Sequence, residues 1–403
     1  MNMARITPSE LIGTVTIPAS KSAAHRAFIC SFLSGGGKVN ELEESEDIKA
    51  TKGALKALSD GSEVIDCNES GSTLRFMIPV AAALGKTVTF IGTGKLPIRP
   101  IDEYLRLLPA HGVKCEYSGT LPLTISGKLT PGKYALAGNV SSQYITGLLL
   151  ALPILDGDSE LILTTELQSK PYVDMTVKVM QDFGVTVKET KTGYFVRGNQ
   201  CYKQREYTVE GDWSQAAFFL AGGALTGDVT LLGLDPDSAQ GDKEIAAVLR
   251  RFGADIQVEK NAVRVKKSHL HGINIDVADI PDTVPALAVI ASYASGKTVI
   301  TGGERLRIKE SDRIESVVTN LQKAGINAVE TADGMIIEGG APAGACLDGY
   351  NDHRIVMAMS VLALAASGTT QISDASSINK SYPTFFNDYN SLGGKADVIC
   401  DRG

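Results

Sequence analysis

The sequence of 403 residues has no closely spaced cysteines, no run of basic residues and no long hydrophobic segment. Its six cysteines stand far apart without a C-x-x-C pair, which argues against a zinc site or a disulfide framework. A net charge of −7 without a Lys/Arg run gives no footprint for nucleic acid. We therefore expect reduced thiols, no bound metal and no nucleic-acid partner, so that local positive charge must hold any anionic ligand.

The longest apolar stretches, LLLALPIL and MAMSVLALAA, are too short to span a bilayer. The N-terminal residues do not join a basic segment to an apolar run and a small-residue cleavage site, as a secretion signal would. We therefore expect a cytoplasmic protein with no membrane partner. With 43% hydrophobic residues the chain can fill two cores, and its length favours two domains.

One pattern occurs six times along the chain. An apolar helix of small residues ends in a Gly-containing turn and leads into a β-branched strand, and an amphipathic helix that also ends in Gly follows. After a shorter first interval the turn glycines lie about 70 residues apart, which predicts one repeated supersecondary unit. These glycines are Gly37, Gly85, Gly157, Gly227, Gly296 and Gly368.

Six units predict two domains of three units each. A boundary is expected near residues 206–211, where a strand runs into a new helix start at Asp212. Residues 5–17 read as a strand without a unit of its own, so we expect this segment to pair with the C-terminal domain. The predicted domains are residues 1–18 with 211–403, and residues 19–210.

Residues typical of helix N-caps stand immediately before the apolar helices. A helix N-terminus favours anions, especially with a cation beside it, as Lys21, Arg26, Arg75 and Arg354 would be. Each start taken alone is more simply a helix cap, but repeats packed in register would line one cleft with all of them. The starts are Ser20-Lys21-Ser22, Ser70-Gly71-Ser72, Ser141-Ser142-Gln143, Asp212-Trp213-Ser214, Pro281-Asp282-Thr283 and Asn351-Asp352-His353-Arg354.

Two connecting segments also carry charge. Arg99 precedes a proline that restricts its backbone. The nine residues 305–313 contain four cations and two carboxylates. Lys309 stands beside Glu310 in this run, and Arg313 follows one helical turn later. A solvated helix face is one interpretation of this run, and a set of groups that holds an anion and moves a proton is the other.

Two motifs that would indicate other chemistry do not fit their context. Residues 291–298 read A-x-x-x-x-G-K-T, but a phosphate-binding loop needs a strand before it and a helix after it, and the order here is reversed. His269 and His271 could share one face of a strand, yet no matching Cys or carboxylate cluster accompanies them. We expect surface histidines rather than a metal site.

Taken together, ten segments make the sequence similar to the 5-enolpyruvylshikimate-3-phosphate (EPSP) synthase family. They occur in order and cover essentially the whole chain. The segments are PASKSAAHRA, ESGSTLRF, LPIRP, GNVSSQYITGLLLA, SKPYVDMT, EGDWSQAAFFLAG, IPDTVPALA, RIKESDR, YNDHRIVMA and INKSYPTFF.

The resemblance implies an α/β (α+β) fold, a two-domain inside-out α/β barrel with three βαβαββ units about a pseudo-threefold axis in each domain. It implies transfer of the enolpyruvyl group of phosphoenolpyruvate to the 5-hydroxyl of shikimate 3-phosphate, with release of phosphate, in the shikimate pathway to chorismate and the aromatic amino acids. It further implies two small-molecule substrates, no cofactor and a monomer. Residues 19–210 would form the shikimate 3-phosphate side, and the other domain would hold phosphoenolpyruvate and the catalytic residues.

Site residues follow from the same resemblance, position by position. Shikimate 3-phosphate would contact Ser22, Arg26, Ser141, Ser142, Gln143, Ser169, Tyr172, Asp282 and Lys309, with its phosphate on Ser141, Ser142 and Ser169. Phosphoenolpyruvate would contact Lys21, Gly71, Arg99, Gln143, Arg313, Arg354 and Lys380.

The catalytic roles are implied in the same way. Asp282 would accept a hydrogen bond from the attacking hydroxyl, and Glu310 would move the proton at the substrate methylene with Lys21 and His353 assisting. Because ligands would be gripped from both domains, closure of the cleft on binding is expected.

Alternatives and departures from the family pattern remain. The sister enzyme, UDP-N-acetylglucosamine enolpyruvyl transferase, usually has a reactive Cys before its Arg-Pro and Lys-Asn in its first loop, where this chain reads GTGKLPIRP and Lys21-Ser22. A non-catalytic binding protein built of repeats would not need Glu310 beside Lys309. Glu69 and Arg305 stand where the family often has Asn. The resemblance implies sensitivity to the inhibitor glyphosate through Gly71, and Glu69 is the departure that bears on this expectation.

Overall fold

The computed structural model describes residues 2–40 and 44–400 and divides into two compact units. Unit 1 comprises Met1–Ala19 and Glu210–Gly403, and unit 2 comprises Ser20–Val209. In chain connectivity, unit 2 is therefore an insertion near the N-terminal end of unit 1.

The described residues form twelve α-helices. They are α1 (Lys21–Leu33), α2 (Glu46–Asp60), α3 (Gly71–Ala83), α4 (Asp102–Ala110), α5 (Ser142–Ala151), α6 (Lys170–Asp182), α7 (Trp213–Thr226), α8 (Ile245–Arg251), α9 (Val284–Tyr293), α10 (Arg313–Lys323), α11 (His353–Leu362) and α12 (Phe385–Ser391). None of the helices in this part of the chain has both the length and the apolar character needed to cross a membrane.

The described strands are short. They are β1 (Asn2–Thr7), β2 (Ile12–Thr16), β3 (Lys38–Asn40), β4 (Val64–Asp66), β5 (Val88–Ile91), β6 (Val113–Glu116), β7 (Leu123–Gly127), β8 (Lys133–Leu136), β9 (Ser159–Leu163), β10 (Val187–Thr190), β11 (Gly193–Val196), β12 (Glu206–Thr208), β13 (Asp228–Leu234), β14 (Asp255–Glu259), β15 (Asn261–Lys266), β16 (Asn274–Asp276), β17 (Lys297–Thr301), β18 (Asn327–Glu330), β19 (Met335–Glu338), β20 (Cys346–Leu347), β21 (Thr370–Ser373) and β22 (Lys395–Cys400).

Unit 1 contains three four-stranded sheets, with the orders β16-β17-β19-β18, β14-β15-β13-β2 and β20-β21-β1-β22. The first of these is a complete βαβαββ unit in chain order: β16, α9, β17, α10, β18 and β19. The other two are completed by N-terminal strands, because β2 pairs parallel to β13 and β1 pairs antiparallel to β21 and β22. The predicted pairing of the N-terminal segment with the C-terminal part of the chain is confirmed.

The N-terminal segment is nevertheless two strands in two different sheets, not the single strand predicted over residues 5–17. The break falls at residues 8–11, which begin with Pro8. Proline has no N–H to give to a strand ladder, so the ladder of β1 ends before it. Leu11, at the end of the break, is fully buried in the core.

Unit 2 contains two four-stranded sheets, β4-β5-β7-β6 and β10-β11-β9-β8, and a two-stranded sheet of β12 and β3. Its first repeat is shorter than the other five. In the described residues α2 is followed directly by β4, and no antiparallel pair of strands intervenes. Gly61 ends α2 in the left-handed conformation, and the chain enters β4 three residues later.

The apolar helices form the inside of each unit, and the sheets lie outside them. In unit 1, α7, α9 and α11 pack against one another, and every residue of α7 is buried. Small residues permit this packing: a Cβ on Gly223 of α7 would lie 2.6 Å from Cγ1 of Val265 in β15. In unit 2, Gly147 lets α5 pack closely against α3, since a Cβ at this position would lie 2.4 Å from the carbonyl oxygen of Arg75. The expected inside-out α/β architecture is thus observed.

Candidate active site

The predicted N-caps are present at five of the six apolar helices. Ser20, Ser70 and Ser141 each accept a hydrogen bond from a backbone N–H of the first turn of α1, α3 and α5. Asp212 and Asp352 do the same for α7 and α11. The prediction is wrong for the segment Pro281–Thr283, which forms a 3₁₀ turn without a side-chain cap. The reason is that the carboxylate of Asp282 is bound by arginine side chains instead.

The starts of α7, α9 and α11 meet at the side chain of Arg354. Its Nη2 donates to Oδ2 of Asp282 at 3.0 Å and to Oγ of Ser214 at 3.2 Å, and its Nη1 donates to the backbone oxygen of Asp282 at 3.1 Å. Oγ of Ser214 in turn donates to Oδ1 of Asp212 at 2.6 Å. Three helix starts of unit 1 are therefore joined around one guanidinium group.

Asp282 is surrounded by cations. Nη1 of Arg313 donates to its Oδ1 at 3.0 Å, and Nζ of Lys309 lies 3.8 Å from the same oxygen. Burial alone would raise the pKa of Asp282, but Arg354, Lys309 and Arg313 outweigh it and hold the pKa well below the usual range of a carboxyl group. Asp282 is therefore an ionised hydrogen-bond acceptor.

Arg313 is the centre of the network, with 1% of its surface exposed. Its Nη2 donates to Oε2 of Glu310 at 2.8 Å, and its Nε donates to Oδ2 of Asp352 at 2.8 Å. Asp352 and the other two carboxylates raise the pKa of Arg313 against the opposing effect of burial. The side chain of Glu310 keeps 22% of its surface exposed, so this carboxylate can reach a ligand while Arg313 holds it.

Lys309, His353 and Lys380 complete this part of the site. Burial lowers the pKa of Lys309, although Asp282 beside it acts in the opposite direction. Nδ1 of His353 lies 3.8 Å from Oδ1 of Asp352. Lys380 ends a 3₁₀ turn and donates to the backbone oxygen of Asn351 at 2.8 Å. The residues brought together in unit 1, called the unit 1 cluster, are Asp282, Lys309, Glu310, Arg313, Asp352, His353, Arg354 and Lys380.

In unit 2 the starts of α3 and α5 are joined through Gln143. Its Nε2 donates to Oγ of Ser72 at 3.0 Å, and its Oε1 accepts from Nη1 of Arg75 at 2.8 Å. Gly71 lies against Arg99, because a Cβ on Gly71 would be 2.6 Å from Nη1 of Arg99. Two guanidinium groups therefore lie at the N-terminus of α3, where helix geometry also favours an anion.

Arg26 joins α1 to the two helices that follow Ser141 and Ser169. Its Nε donates to Oγ1 of Thr176 at 2.7 Å, and its Nη2 donates to Oγ1 of Thr146 at 3.3 Å and to the backbone oxygen of Tyr172 at 3.0 Å. The backbone oxygen of Ser22 accepts from its Nη1. Burial lowers the pKa of Arg26 to about 10, so the side chain stays cationic at neutral pH.

Two buried guanidinium groups of unit 2 have only neutral partners. No carboxylate oxygen of the described residues lies within 4.0 Å of Arg26 or Arg75. Burial lowers the pKa of Arg75, and the nearby charge of Arg99 adds to the effect. Buried charge is costly unless it is paired. An anionic ligand would supply the missing negative charge.

The remaining predicted residues of unit 2 lie at helix starts. Ser142 is the first residue of α5 and is buried. Ser169 precedes α6 with a φ of 54°, a left-handed conformation that is uncommon outside glycine. Nζ of Lys21, at the start of α1, donates to Oδ2 of Asp47 at 2.8 Å. The unit 2 cluster is defined as Lys21, Ser22, Arg26, Gly71, Arg75, Arg99, Ser141, Ser142, Gln143, Ser169 and Tyr172.

Two carboxylates of these networks are absent from the residues predicted for the site. Asp352 binds Arg313, Ser311 and the backbone of Arg354, and Asp47 binds Lys21. The sequence indicated Asp352 only as part of a helix start. Asp47 stands in the first turn of the amphipathic α2, where an acidic residue is ordinary. Their side-chain partners are distant in sequence, so no local pattern marks these side-chain contacts.

Each cluster has a chemistry of its own. The unit 1 cluster supplies an ionised acceptor in Asp282 and a partly exposed carboxylate in Glu310, both among cations. The unit 2 cluster supplies buried guanidinium groups and hydroxyls at helix starts, which is the chemistry of anion binding. Among the described residues, no group of three or more His, Cys, Asp or Glu side chains is arranged to hold a metal ion.

Comparison with known proteins agrees with this chemistry. A family model described as EPSP synthase (3-phosphoshikimate 1-carboxyvinyltransferase) matches residues 6–64 and 58–389. A Clostridium novyi protein named 3-phosphoshikimate 1-carboxyvinyltransferase is 44% identical over 98% of this chain and 99% of its own length. A Clostridium kluyveri protein of the same name is 43% identical, with the same two coverages.

A solved structure shows the same fold. The structure of EPSP synthase from Acinetobacter baumannii matches with a TM-score of 0.83 at 27% identity, covering 99% of this chain and 100% of that one. The two matched segments of the family model meet at residues 58–64, where α2 of this chain runs directly into β4. The shortened first repeat therefore coincides with the break in the family match.

Proposed function

Because this chain belongs to the EPSP synthase family, we propose that its two clusters carry out 3-phosphoshikimate 1-carboxyvinyl transfer. The reaction moves the enolpyruvyl group of phosphoenolpyruvate to the 5-hydroxyl of shikimate 3-phosphate and releases phosphate. It belongs to the shikimate pathway and supplies chorismate and the aromatic amino acids. The observation that carries the proposal is the convergence of Arg313 and Arg354 on an ionised Asp282 beside Glu310.

Shikimate 3-phosphate is assigned mainly to the unit 2 cluster. Ser141, Ser142 and Ser169 would bind its phosphate, since each stands at a helix start where hydroxyl and backbone donors favour a dianion. The buried charge of Arg26 supports this assignment. Ser22, Gln143 and Tyr172 would contact the ring substituents. Asp282 and Lys309 would contact the hydroxyl that reacts.

Phosphoenolpyruvate is assigned to cations of both clusters. Arg313 and Arg354 would bind its carboxylate, because guanidinium groups suit two-point binding of a planar anion. Lys21, Arg99 and Lys380 would bind its phosphate, together with Gln143. Gly71 leaves room at the start of α3 for Arg99, which would bind that phosphate, because a Cβ on Gly71 would lie 2.6 Å from Nη1 of Arg99.

The proposed reaction needs one carboxylate that acts first as an acid and then as a base. Glu310 gives a proton to the methylene carbon of phosphoenolpyruvate, which creates an oxocarbenium-like centre at the adjacent carbon. The 5-hydroxyl oxygen attacks that centre and its proton passes to Asp282, giving a tetrahedral adduct. The C–O bond to phosphate then breaks as the leaving phosphate takes up the proton held by Asp282, and Glu310 removes a proton from the new methyl group to restore the double bond. Lys21 and His353 would assist these transfers.

Asp282 becomes a useful proton acceptor only when the substrates are bound. In the structure Arg313 and Arg354 hold its pKa far down, so it is a weak base. The carboxylate of phosphoenolpyruvate would compete for the same guanidinium donors. Each donor withdrawn from Asp282 removes a cause of the low pKa. We propose that binding of phosphoenolpyruvate thereby activates Asp282 toward the 5-hydroxyl.

We further propose that the enzyme acts as a monomer in the cytoplasm, without a nucleic-acid or membrane partner. The negative net charge and the widely spaced cysteines of the sequence support this proposal.

The test of the proposed function is the choice of acceptor. Purified enzyme with phosphoenolpyruvate should release phosphate when shikimate 3-phosphate is added and should release none with UDP-N-acetylglucosamine. Continuous phosphate detection measures both rates. Activity with the sugar nucleotide alone would show that the chain performs the reaction of the sister enzyme.

Gly71→Ala should raise KM for phosphoenolpyruvate about tenfold, because the new methyl group displaces Arg99 and weakens one charge-assisted hydrogen bond. KM for shikimate 3-phosphate should stay within a few-fold. Gly53→Ala is the matched control, since a Cβ on Gly53 meets no atom within 4 Å and alanine favours the interior of α2. Equal kinetics for the two variants would remove Gly71 from the proposed site.

A further inference from the structure

The two loops that carry the proposed phosphate ligands are tied together by one threonine. Loop A, residues 137–141, joins β8 to α5, and loop B, residues 164–169, joins β9 to α6. Oγ1 of Thr165 in loop B accepts from the backbone nitrogens of Gly138 at 2.9 Å and Asn139 at 3.2 Å. The same hydroxyl donates to Oδ1 of Asn139 at 2.9 Å. Thr165 thus uses its donor and both its acceptor positions between the loops.

The backbones of the two loops also lie in direct contact. The nitrogen of Gln168 donates to the carbonyl oxygen of Gly138 at 3.1 Å. A Cβ on Gly138 would lie 2.8 Å from the carbonyl oxygen of Thr165 and 2.9 Å from that of Glu166. Loop B therefore passes over loop A more closely than any side chain at position 138 would permit.

This contact fixes the positions of the serines that the loops present. Loop A ends at Ser141, the N-cap of α5, and loop B ends at Ser169. Ser169 has the left-handed conformation described above and does not cap α6 with its hydroxyl. A non-glycine residue keeps that conformation only where its surroundings hold it. The link through Thr165 and Gly138 provides such support four residues before Ser169.

The helices behind the loops are joined independently. Oγ1 of Thr146 in α5 lies 2.9 Å from Oγ1 of Thr176 in α6, and Arg26 binds both hydroxyls. Loss of the Thr165 bonds should therefore leave the helices in place and release only the loops. The side chain of Thr165 is exposed, so its replacement should not unfold the protein.

We propose that Thr165 is a positioning residue for the phosphate group of shikimate 3-phosphate. It ties the loop that ends at Ser141 to the loop that ends at Ser169, and so keeps the proposed phosphate ligands of both loops in fixed positions. The inference rests on the proposed function and on the assignment of these serines to the phosphate. Binding of a rigid anion by several donors is lost steeply when their spacing changes.

The test compares Thr165→Val, which keeps the shape and removes the hydroxyl, with Thr165→Ser, which keeps the hydroxyl. We expect Thr165→Val to raise KM for shikimate 3-phosphate about tenfold, with kcat and KM for phosphoenolpyruvate within about twofold of wild type. Thr165→Ser should stay close to wild type. Thr186→Val is the matched control, since Thr186 is also exposed in unit 2 and its backbone is bonded to Gln200, which lies outside both loops.

Three results would overturn the inference. They are an unchanged KM for shikimate 3-phosphate in Thr165→Val, equal impairment of the Ser and Val variants, and equal changes in the kinetics of both substrates. Gly138→Ala gives a second check, because its Cβ would meet the carbonyl oxygens of Thr165 and Glu166 and push the loops apart while the Thr165 side chain is unchanged, and it should also raise KM for shikimate 3-phosphate. If wild-type enzyme releases no phosphate with shikimate 3-phosphate as acceptor, the proposed function itself is refuted. If wild type is active and Thr165→Val has the same KM for shikimate 3-phosphate, only this inference is refuted.

Discussion

Glu310→Gln is expected to lower kcat by about 10³-fold while KM for each substrate stays within a few-fold. Glutamine has nearly the same shape and still offers an oxygen to Nη2 of Arg313, so the network around Arg313 should persist. It cannot give or take the proton at the methylene carbon. Steady-state phosphate release with each substrate varied in turn separates kcat from the two KM values.

Glu315→Gln is the control for the Glu310 variant. It makes the same change of charge five residues later, on the exposed side of the first turn of α10. Its kcat should equal that of wild type. A Glu310→Gln enzyme that retains more than about a tenth of wild-type kcat would show that another group moves the proton.

Asp282→Asn is expected to lower kcat by about 10²-fold or more without raising KM for phosphoenolpyruvate. The amide cannot accept the proton of the 5-hydroxyl. It also removes the negative charge that competes for Arg313 and Arg354, which leaves both guanidinium groups more available to an anionic substrate. Asp279→Asn, an exposed position in the preceding loop, is the control and should behave as wild type. A large rise in KM for phosphoenolpyruvate would contradict this account.

The same variant should be less stable without substrates. Removing one partner of a buried ion network costs about 3 kcal/mol, because the remaining charges stay desolvated. Urea denaturation should show this loss, and phosphoenolpyruvate should reduce it by restoring negative charge. A variant as stable as wild type would show that the cations around Asp282 are already compensated by Glu310 and Asp352.

The difference in the free energy of unfolding between wild type and Asp282→Asn should decrease as the pH falls. The pKa of Asp282 is lower in the folded chain than the usual value of about 4 in an unfolded chain. Its stabilising effect is therefore complete above about pH 4 and is lost as the pH falls toward the folded value. The gap between wild type and Asp282→Asn should be constant near neutral pH and should narrow only in strong acid.

Local chemistry was readable from the sequence wherever it acts over a few residues. Ser20, Ser70 and Ser141 cap the helices that follow them, since the capping bond spans only two or three positions. The six-fold pattern likewise predicted the inside-out architecture, because each apolar helix carries the small residues that inner packing needs. These features require no knowledge of distant parts of the chain.

The burial of Arg313 within the charge run at residues 305–313 could not be predicted from local sequence. The run has the composition of a solvated helix face, yet Arg313 has only 1% of its surface exposed. It is buried because Asp352, 39 positions later, and Asp282, 31 positions earlier, bring carboxylates to it. The sequence resemblance placed Arg313 in the site, but its ionic partners depend on how three repeats pack.

The short interval between Gly37 and Gly85 indicates that the first repeat lacks part of the full unit, which the number of repeats alone does not show. An interval of 48 positions instead of about 70 leaves no length for the two strands that end a full repeat. The result is the two-stranded sheet of β3 and β12. The recurring motifs predicted six units of the same kind. Only the spacing of the turn glycines distinguished the first unit from the others.

β1 and β2 pair with strands that follow unit 2 in the sequence and are therefore made later during protein synthesis. Unit 2 is one continuous stretch, so all of its contacts can form while the ribosome is still translating the remainder. β1 is made before unit 2, yet its neighbours β21 and β22 are made after it. β1 must therefore remain without these partner strands until β21 and β22 have been made.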